Sequence, residues 1–114
     1  DLMDLRAIVS KSGVATMMVA EGDCNDALGL FEKARNAPMA ALAVGGAEGC
    51  LLQVEGGPHM TLKQVEAVAN AFTDGLAENA QVIIGARVTP ELGSRMRVVA
   101  VVSGLPRESS GGLF

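Results

Sequence analysis

An α/β (α+β) sandwich, with one mixed sheet of about four strands packed against two to three helices, is the fold class this sequence predicts. Apolar segments of strand length alternate along the chain with amphipathic segments of helical period, which is the primary signal for elements of both kinds. Cap and turn residues fall at the joins between them. At 114 residues the chain suffices for one core and not for two, and 49% of it is hydrophobic with only 3% aromatic and no Trp or Tyr, so that core is aliphatic.

The elements follow in order. Leu2, Leu5, Ile8 and Val9 recur on one face of a helix over 2–10, which Gly13 stops. Val14 to Ala20 is a short apolar run with Val, Thr and two Met, most simply a strand. Glu21-Gly22-Asp23 reads as a turn, after which Asp23 or Asn25 caps a second helix running to about Asn36. Its inward residues are Ala27, Leu28, Phe31 and Ala34, and Pro38 ends it.

Met39 to Glu48, rich in Ala and Gly with weak periodicity, reads as a connection. Gly49 to Glu55 is the second strand, and Gly56-Gly57-Pro58 stops it. Thr61-Leu62-Lys63-Gln64 has capping-box spacing: the Thr hydroxyl can accept from the backbone three residues on while Gln64 reaches back. Behind it Leu62, Val65, Val68, Ala69, Phe72 and Leu76 trace the clearest amphipathic helix in the chain.

Gln81 to Val88 and Met96 to Ser103 hold uninterrupted Val and Ile runs that fit strands covered on both faces. Between them Thr89-Pro90-Glu91-Leu92-Gly93 supplies a cap, a Pro at a first helical position and a Gly, so one helical turn is expected. The connection is short, and the two strands are expected to be antiparallel neighbours, while the helical crossovers before them allow parallel pairs. Residues 1–104 form the domain; from Leu105 the composition turns to Pro, Ser and Gly, the start of a flexible linker over 105–114.

Composition also excludes function classes. No apolar run approaches the roughly 20 residues of a membrane span, and the N-terminus lacks the regions of a signal peptide, so a cytoplasmic protein without direct membrane insertion is expected. Net charge is -4 with scattered Lys and Arg, which argues against nucleic acid as a partner. Cys24 and Cys50 lie far apart; Cys50, inside an apolar run, reads as a buried free thiol rather than a disulfide or metal ligand. The single histidine, His59, sits in a turn and reads as solvated rather than as half of a catalytic pair, and with no Cys or His cluster no metal site is expected.

The chain opens on Asp1-Leu2-Met3-Asp4-Leu5-Arg6, two acids three residues apart on one face of a first helical turn. The helix dipole by itself favours acids there. Initiator methionine is trimmed only before small residues, so an Asp at position 1 is expected of a fragment cut from a longer chain, with the acids at a domain junction.

Several segments together resemble the C-terminal domain of FtsZ, the tubulin-like GTPase of prokaryotic cell division. The opening hexapeptide resembles that family's Asp-Phe-Ala-Asp-Val-Arg, its synergy loop and the start of the helix after it. Gly13, Ala15 and Met17-Met18 resemble the Gly, Ala and Met-Met beyond that helix. Gly22 with Asn25-Asp26-Ala27 resembles Gly-x-Asn-Arg-Ala, with Asp26 where Arg is usual. Ala47-Glu48-Gly49 and Gly56-Gly57 resemble a Gly-Ala-x-Gly strand and its glycine turn. Ala80-Gln81-Val82-Ile83-Ile84-Gly85 and the Val-rich run to Ser103-Gly104 resemble the last two strands. Val19 stands where the family has glycine, and Leu2 and Met3 replace Phe and Ala between the acids, which suggests a divergent member.

The resemblance implies a tubulin/FtsZ-like C-terminal domain of a GTPase that polymerises head to tail. GTP, with its Mg2+, would be bound wholly by a missing N-terminal domain, so this fragment alone would be inactive. Asp1 and Asp4 would act in trans on the GTP of the adjacent subunit, while Leu2, Met3, Leu5 and Arg6 form the interface; an ion pair on the helix surface accounts equally well for Arg6. The turn from Pro58 to Thr61 would lie near the same longitudinal surface. Implied partners are further copies of the chain, its own N-terminal GTP-binding domain, and division adaptor proteins that bind a missing C-terminal tail at the septum. Two other readings stay open: a non-catalytic FtsZ-like interaction domain, and a small-molecule-binding regulatory α/β module.

Overall fold

A computed structural model describes residues 14–36 and 46–105. Six elements and one short helical turn follow in order: β1 (Val14–Asp23), α1 (Ala27–Arg35), β2 (Gly49–Gly56), α2 (Leu62–Thr73), β3 (Gln81–Val88), a 3-10 turn (Pro90–Leu92) and β4 (Arg95–Leu105). The expected helix over 2–10 and most of the 39–48 connection lie outside the described residues.

The strands form one mixed sheet in the order β1-β4-β2-β3. β4 runs antiparallel to both β1 and β2, and β3 lies parallel to β2 across the α2 crossover. The expectation that the last two strands pair is therefore wrong: β2 lies between them. The reason is at their connection, which crosses the end of β2 instead of folding back as a hairpin. Thr89 donates its N–H to the Gly56 carbonyl at 2.8 Å. A side chain at Gly57 would collide with the Gly93 backbone, so the two glycines let the chain pass closely over that strand end, Gly93 at φ 59°.

Alternation divides the sheet into two faces. Met18, Ala20, Cys50, Leu52, Val54, Met96, Val98, Ala100 and Val102 are buried on one, against Leu30 and Ala34 of α1 and Val68, Ala69 and Phe72 of α2. Phe72, 1% exposed, meets the Phe31 ring edge-on at 5.3 Å between centroids and 84° between planes. Burial pushes the Cys50 thiol up to about 11, so it is a packing group without thiolate reactivity.

Several boundaries and burials differ from expectation. Glu21-Gly22-Asp23 is no turn but the end of β1, paired with Arg97, Met96 and Arg95 of β4. The cap of α1 is Asp26, whose Oδ1 accepts from the Gly29 N–H at 3.0 Å; Asp23 instead accepts from the Asn25 N–H at 2.8 Å, and closes the turn before the helix. Ala27, Phe31 and Ala34 face the core as expected, but Leu28 is 72% exposed and Leu30, 1% exposed, is buried instead. Leu62, at the first position of α2, is 74% exposed, because a first-turn residue projects beyond the sheet end. β3 is not covered on both faces: it is an edge strand with Val82, Ile84 and Val88 exposed.

The other face carries a row that the strand register assembles: Glu21, Arg97, Glu55 and Arg87 stand side by side across all four strands. Arg97 Nε lies 3.2 Å from Glu21, Arg97 Nη1 lies 3.8 Å from Glu55, and Arg87 Nε lies 3.6 Å from Glu55. Arg95 Nε adds a second bond to Glu21 at 3.1 Å. Hydrogen bonds from Arg95 and then Arg97 hold the Glu21 carboxyl below its usual 4.5. A carboxyl lowered in the folded state contributes stability that is complete above the unfolded value and is lost as pH falls through the folded one. Urea midpoints measured from pH 6 downward should therefore fall more steeply below pH 4.5 for the unaltered domain than for Glu21→Gln. Parallel curves would show that the pairs contribute nothing.

Candidate functional site

Asp1, Leu2, Met3, Asp4, Leu5 and Arg6 lie outside the described residues. What the structure does build is the loop end of the sheet, where β1, β2 and β3 finish and β4 begins. Three segments meet there: Cys24 to Asp26, Gly57 to Thr61 and Thr89 to Ser94. Cys24 donates its N–H to the Ser94 carbonyl at 3.1 Å, tying the first segment to the third.

Gln64 ties the first segment to the second. The capping box that the sequence announces is present: Thr61 Oγ1 accepts from the Gln64 N–H at 3.1 Å, and Gln64 Oε1 accepts from the Thr61 N–H at 2.9 Å. With Oε1 occupied by its own helix, the amide nitrogen points outward. It donates to Asn25 Oδ1 at 2.9 Å and lies 3.3 Å from Cys24 Sγ. One side chain thus caps α2 and fixes the approach to α1, a role that sequence reasoning missed. A Gln at that position announces the box; nothing in its spacing announces a partner 39 residues away.

Two clefts flank this bridge. The smaller, about 150 Å³, opens between Cys24, Met60, Gln64 and Ser94, with His59 at its rim. The other, about 290 Å³, lies between the starts of the two helices, with Ala27 and Ala67 as its apolar walls and Thr61 and Lys63 at its mouth. His59 is exposed, as a turn residue should be. Thr89 Oγ1 donates to Glu55 Oε2 at 2.8 Å, so the last loop is anchored to β2 by its side chain as well as its backbone.

The chemistry available is that of a contact surface. Among the described residues no group of three His, Cys, Asp or Glu could hold a metal ion, and no helix is long and apolar enough to cross a membrane. The polar groups at this end bond mainly to one another, and that rigidifies the three loops. Gly56-Gly57 is committed to close packing on Met60 and Gly93, not to a phosphate cradle.

Comparison with known proteins gives a consistent result. The family profile described as "FtsZ family, C-terminal domain" matches residues 13–106, a range that begins beyond Arg6. Cell division protein FtsZ 2 of Halobacterium salinarum is 37% identical over 106 residues, covering 92% of this chain and 27% of that protein. Cell division protein FtsZ 2 of Methanocaldococcus jannaschii is 33% identical over 109 residues, covering 92% and 29%. The chain therefore spans between a quarter and a third of these relatives. Among solved structures, an FtsZ dimer of M. jannaschii superposes with a TM-score of 0.80 at 30% identity, over 91% of this chain and 31% of that one. The GTPgS-bound protofilament of CetZ2 from Haloferax volcanii has the same fold, with a TM-score of 0.73 at 17% identity over 98% of this chain and 36% of that one.

Proposed function

Because the chain belongs to the FtsZ family and forms its C-terminal domain, we propose that it completes, in trans, the GTPase site of a neighbouring subunit in a head-to-tail filament. The observation that carries this reading is the order of the chain: the acid pair Asp1 and Asp4 directly precedes a domain matched from residue 13. GTP, with its Mg2+, belongs to the domain upstream. Asp1 and Asp4 orient the water that attacks the γ-phosphate of GTP on the next subunit, and Leu2, Met3, Leu5 and Arg6 line the contact. Phosphoryl transfer rests mainly on positioning and charge stabilisation, and a carboxylate beside the water supplies the positioning.

The loop end belongs to the same longitudinal surface. Its three segments are locked together by Gln64 and by the Cys24–Ser94 bond, and a contact that must repeat without closing benefits from a rigid face. Self-association is supported by the FtsZ dimer among the structural neighbours. The expected 1–104 domain extends through Leu105, the last residue of β4, and the residues after it begin a linker toward a tail that adaptor proteins bind at the septum.

The concentration dependence of hydrolysis tests this function. In the full-length parent, GTP turnover per subunit should be near zero when dilute and rise steeply once filaments form. Turnover per subunit that is constant across concentration sinks the in-trans site. Assembly without turnover at any concentration leaves the interaction-domain reading in its place.

A further inference from the structure

The two edges of the sheet are unlike. β1 breaks register between Val14 and Thr16 and carries Asp23 at its other end, irregularity and charge of the kind that deters strand addition. β3 has neither device on its outer edge. Its eight residues keep continuous register with β2 from Gly49 opposite Gln81 to Gly56 opposite Val88, without a bulge or proline. Its one charge, Arg87, is turned to Glu55 on the inner side. Among the described residues no strand pairs with its outer edge. On the face shared with the core it also presents Val82, Ile84 and Val88, 38%, 46% and 56% exposed.

We propose that β3 pairs antiparallel with β3 of a second copy about a two-fold axis at Ile84, joining two sheets into one of eight strands. The occupant follows from the self-complementarity of the strand. Centred on Ile84, the pairing sets Val82 opposite Ala86 and Ile84 opposite Ile84 on the apolar face. On the other face Gln81 stands opposite Arg87, and Ile83 opposite Gly85. Each Arg87 meets a neutral amide from the second copy, with about 20 Å of strand between the two guanidinium-bearing positions, so no like charges meet. Such a contact is isologous and closes on itself, unlike the longitudinal one.

Its geometry also sets polarity. The strands run toward or away from the loop end, so antiparallel β3 strands point the two loop ends in opposite directions. On the function proposed above, this makes β3 a lateral contact between filaments of opposite polarity. The pairing itself requires neither GTP nor Asp1 and Asp4, so it stands or falls separately from that function.

The test is disulfide trapping in the full-length parent with Cys24→Ser as background, under mild oxidation without nucleotide. Ile84→Cys should convert to a covalent dimer on a non-reducing gel. Val82→Cys, whose opposite residue is Ala86, should stay monomeric although it lies two residues away on the same face. Ile84→Lys, an exposed change that places two ammonium groups at the axis, should abolish lateral bundling by light scattering while circular dichroism stays unchanged. Equal trapping of both cysteine variants, trapping of neither, or undiminished bundling by the folded Ile84→Lys protein overturns the proposal; absence of trapping would mean that another part of the parent chain covers β3.

Discussion

Asp4→Ala in the full-length parent should bind GTP as the unaltered protein does and hydrolyse it about a hundred- to ten-thousand-fold more slowly, the range for losing a positioned proton-accepting group. On the proposed function, binding should survive, since that proposal gives the nucleotide contacts to an upstream domain and gives Asp4 to the nucleotide of the next subunit. Filaments formed by this variant should persist longer, since hydrolysis is what the missing carboxylate slows. Binding, pelleting and phosphate release must be measured on the same preparation. Unchanged release would remove Asp4 from the catalytic role. Lost pelleting with normal release per assembled subunit would make it an interface residue. Asp1→Ala should act in the same direction, because the proposed function gives both acids one role.

Phe72→Ala should be the most destabilising single change among the described residues, at about 3–5 kcal/mol. The ring is 1% exposed, fills the space between α2 and the sheet, and meets Phe31 edge-on at 5.3 Å. Truncation loses the apolar transfer energy, leaves a cavity that the surrounding Val and Leu side chains cannot close without leaving their rotamers, and removes the ring contact as well. Phe31→Ala should cost less, since that ring is only half-buried. Leu62→Ala, at 74% exposure, should fall within about 0.5 kcal/mol of the unaltered domain. Urea midpoints of the three variants check the order, with an unchanged m-value showing that the effect is on stability. A Phe72→Ala midpoint no lower than that of Leu62→Ala would mean the core is not organised about this ring.

How much could be read beforehand differs sharply between local and distant features. The capping box of α2 was legible because its donors and acceptors lie three residues apart, and so was the turn at Pro90. The cap of α1 is not fixed by residue type, because Asp23, Asn25 and Asp26 are all competent caps; Asp23 instead closes the turn before the helix and leaves the cap to Asp26. A Val and Ile run signals burial on both faces, yet the place of β3 at the sheet edge leaves it exposed. Of the candidate site, the acid pair rests on resemblance to a family alone and lies outside the described residues. The bridge from Gln64 to Asn25 and Cys24 was not legible at all, because nothing along the chain relates residues 39 and 40 positions apart.

The sequence by itself determined the alternation of helix and strand, the aliphatic core and the starts of most elements. These follow from side-chain periodicity and from hydrogen bonds closed within a few residues, which the chain carries wherever it folds. The tertiary structure alone decided that β4 enters between β1 and β2, that one row of charges spans four strands, and that three distant loops lock around Gln64. Each of these depends on which strand edges meet, and backbone hydrogen bonding is nearly indifferent to that. The selection falls to packing of the whole core and to the reach of a six-residue connection across β2, which no local segment contains.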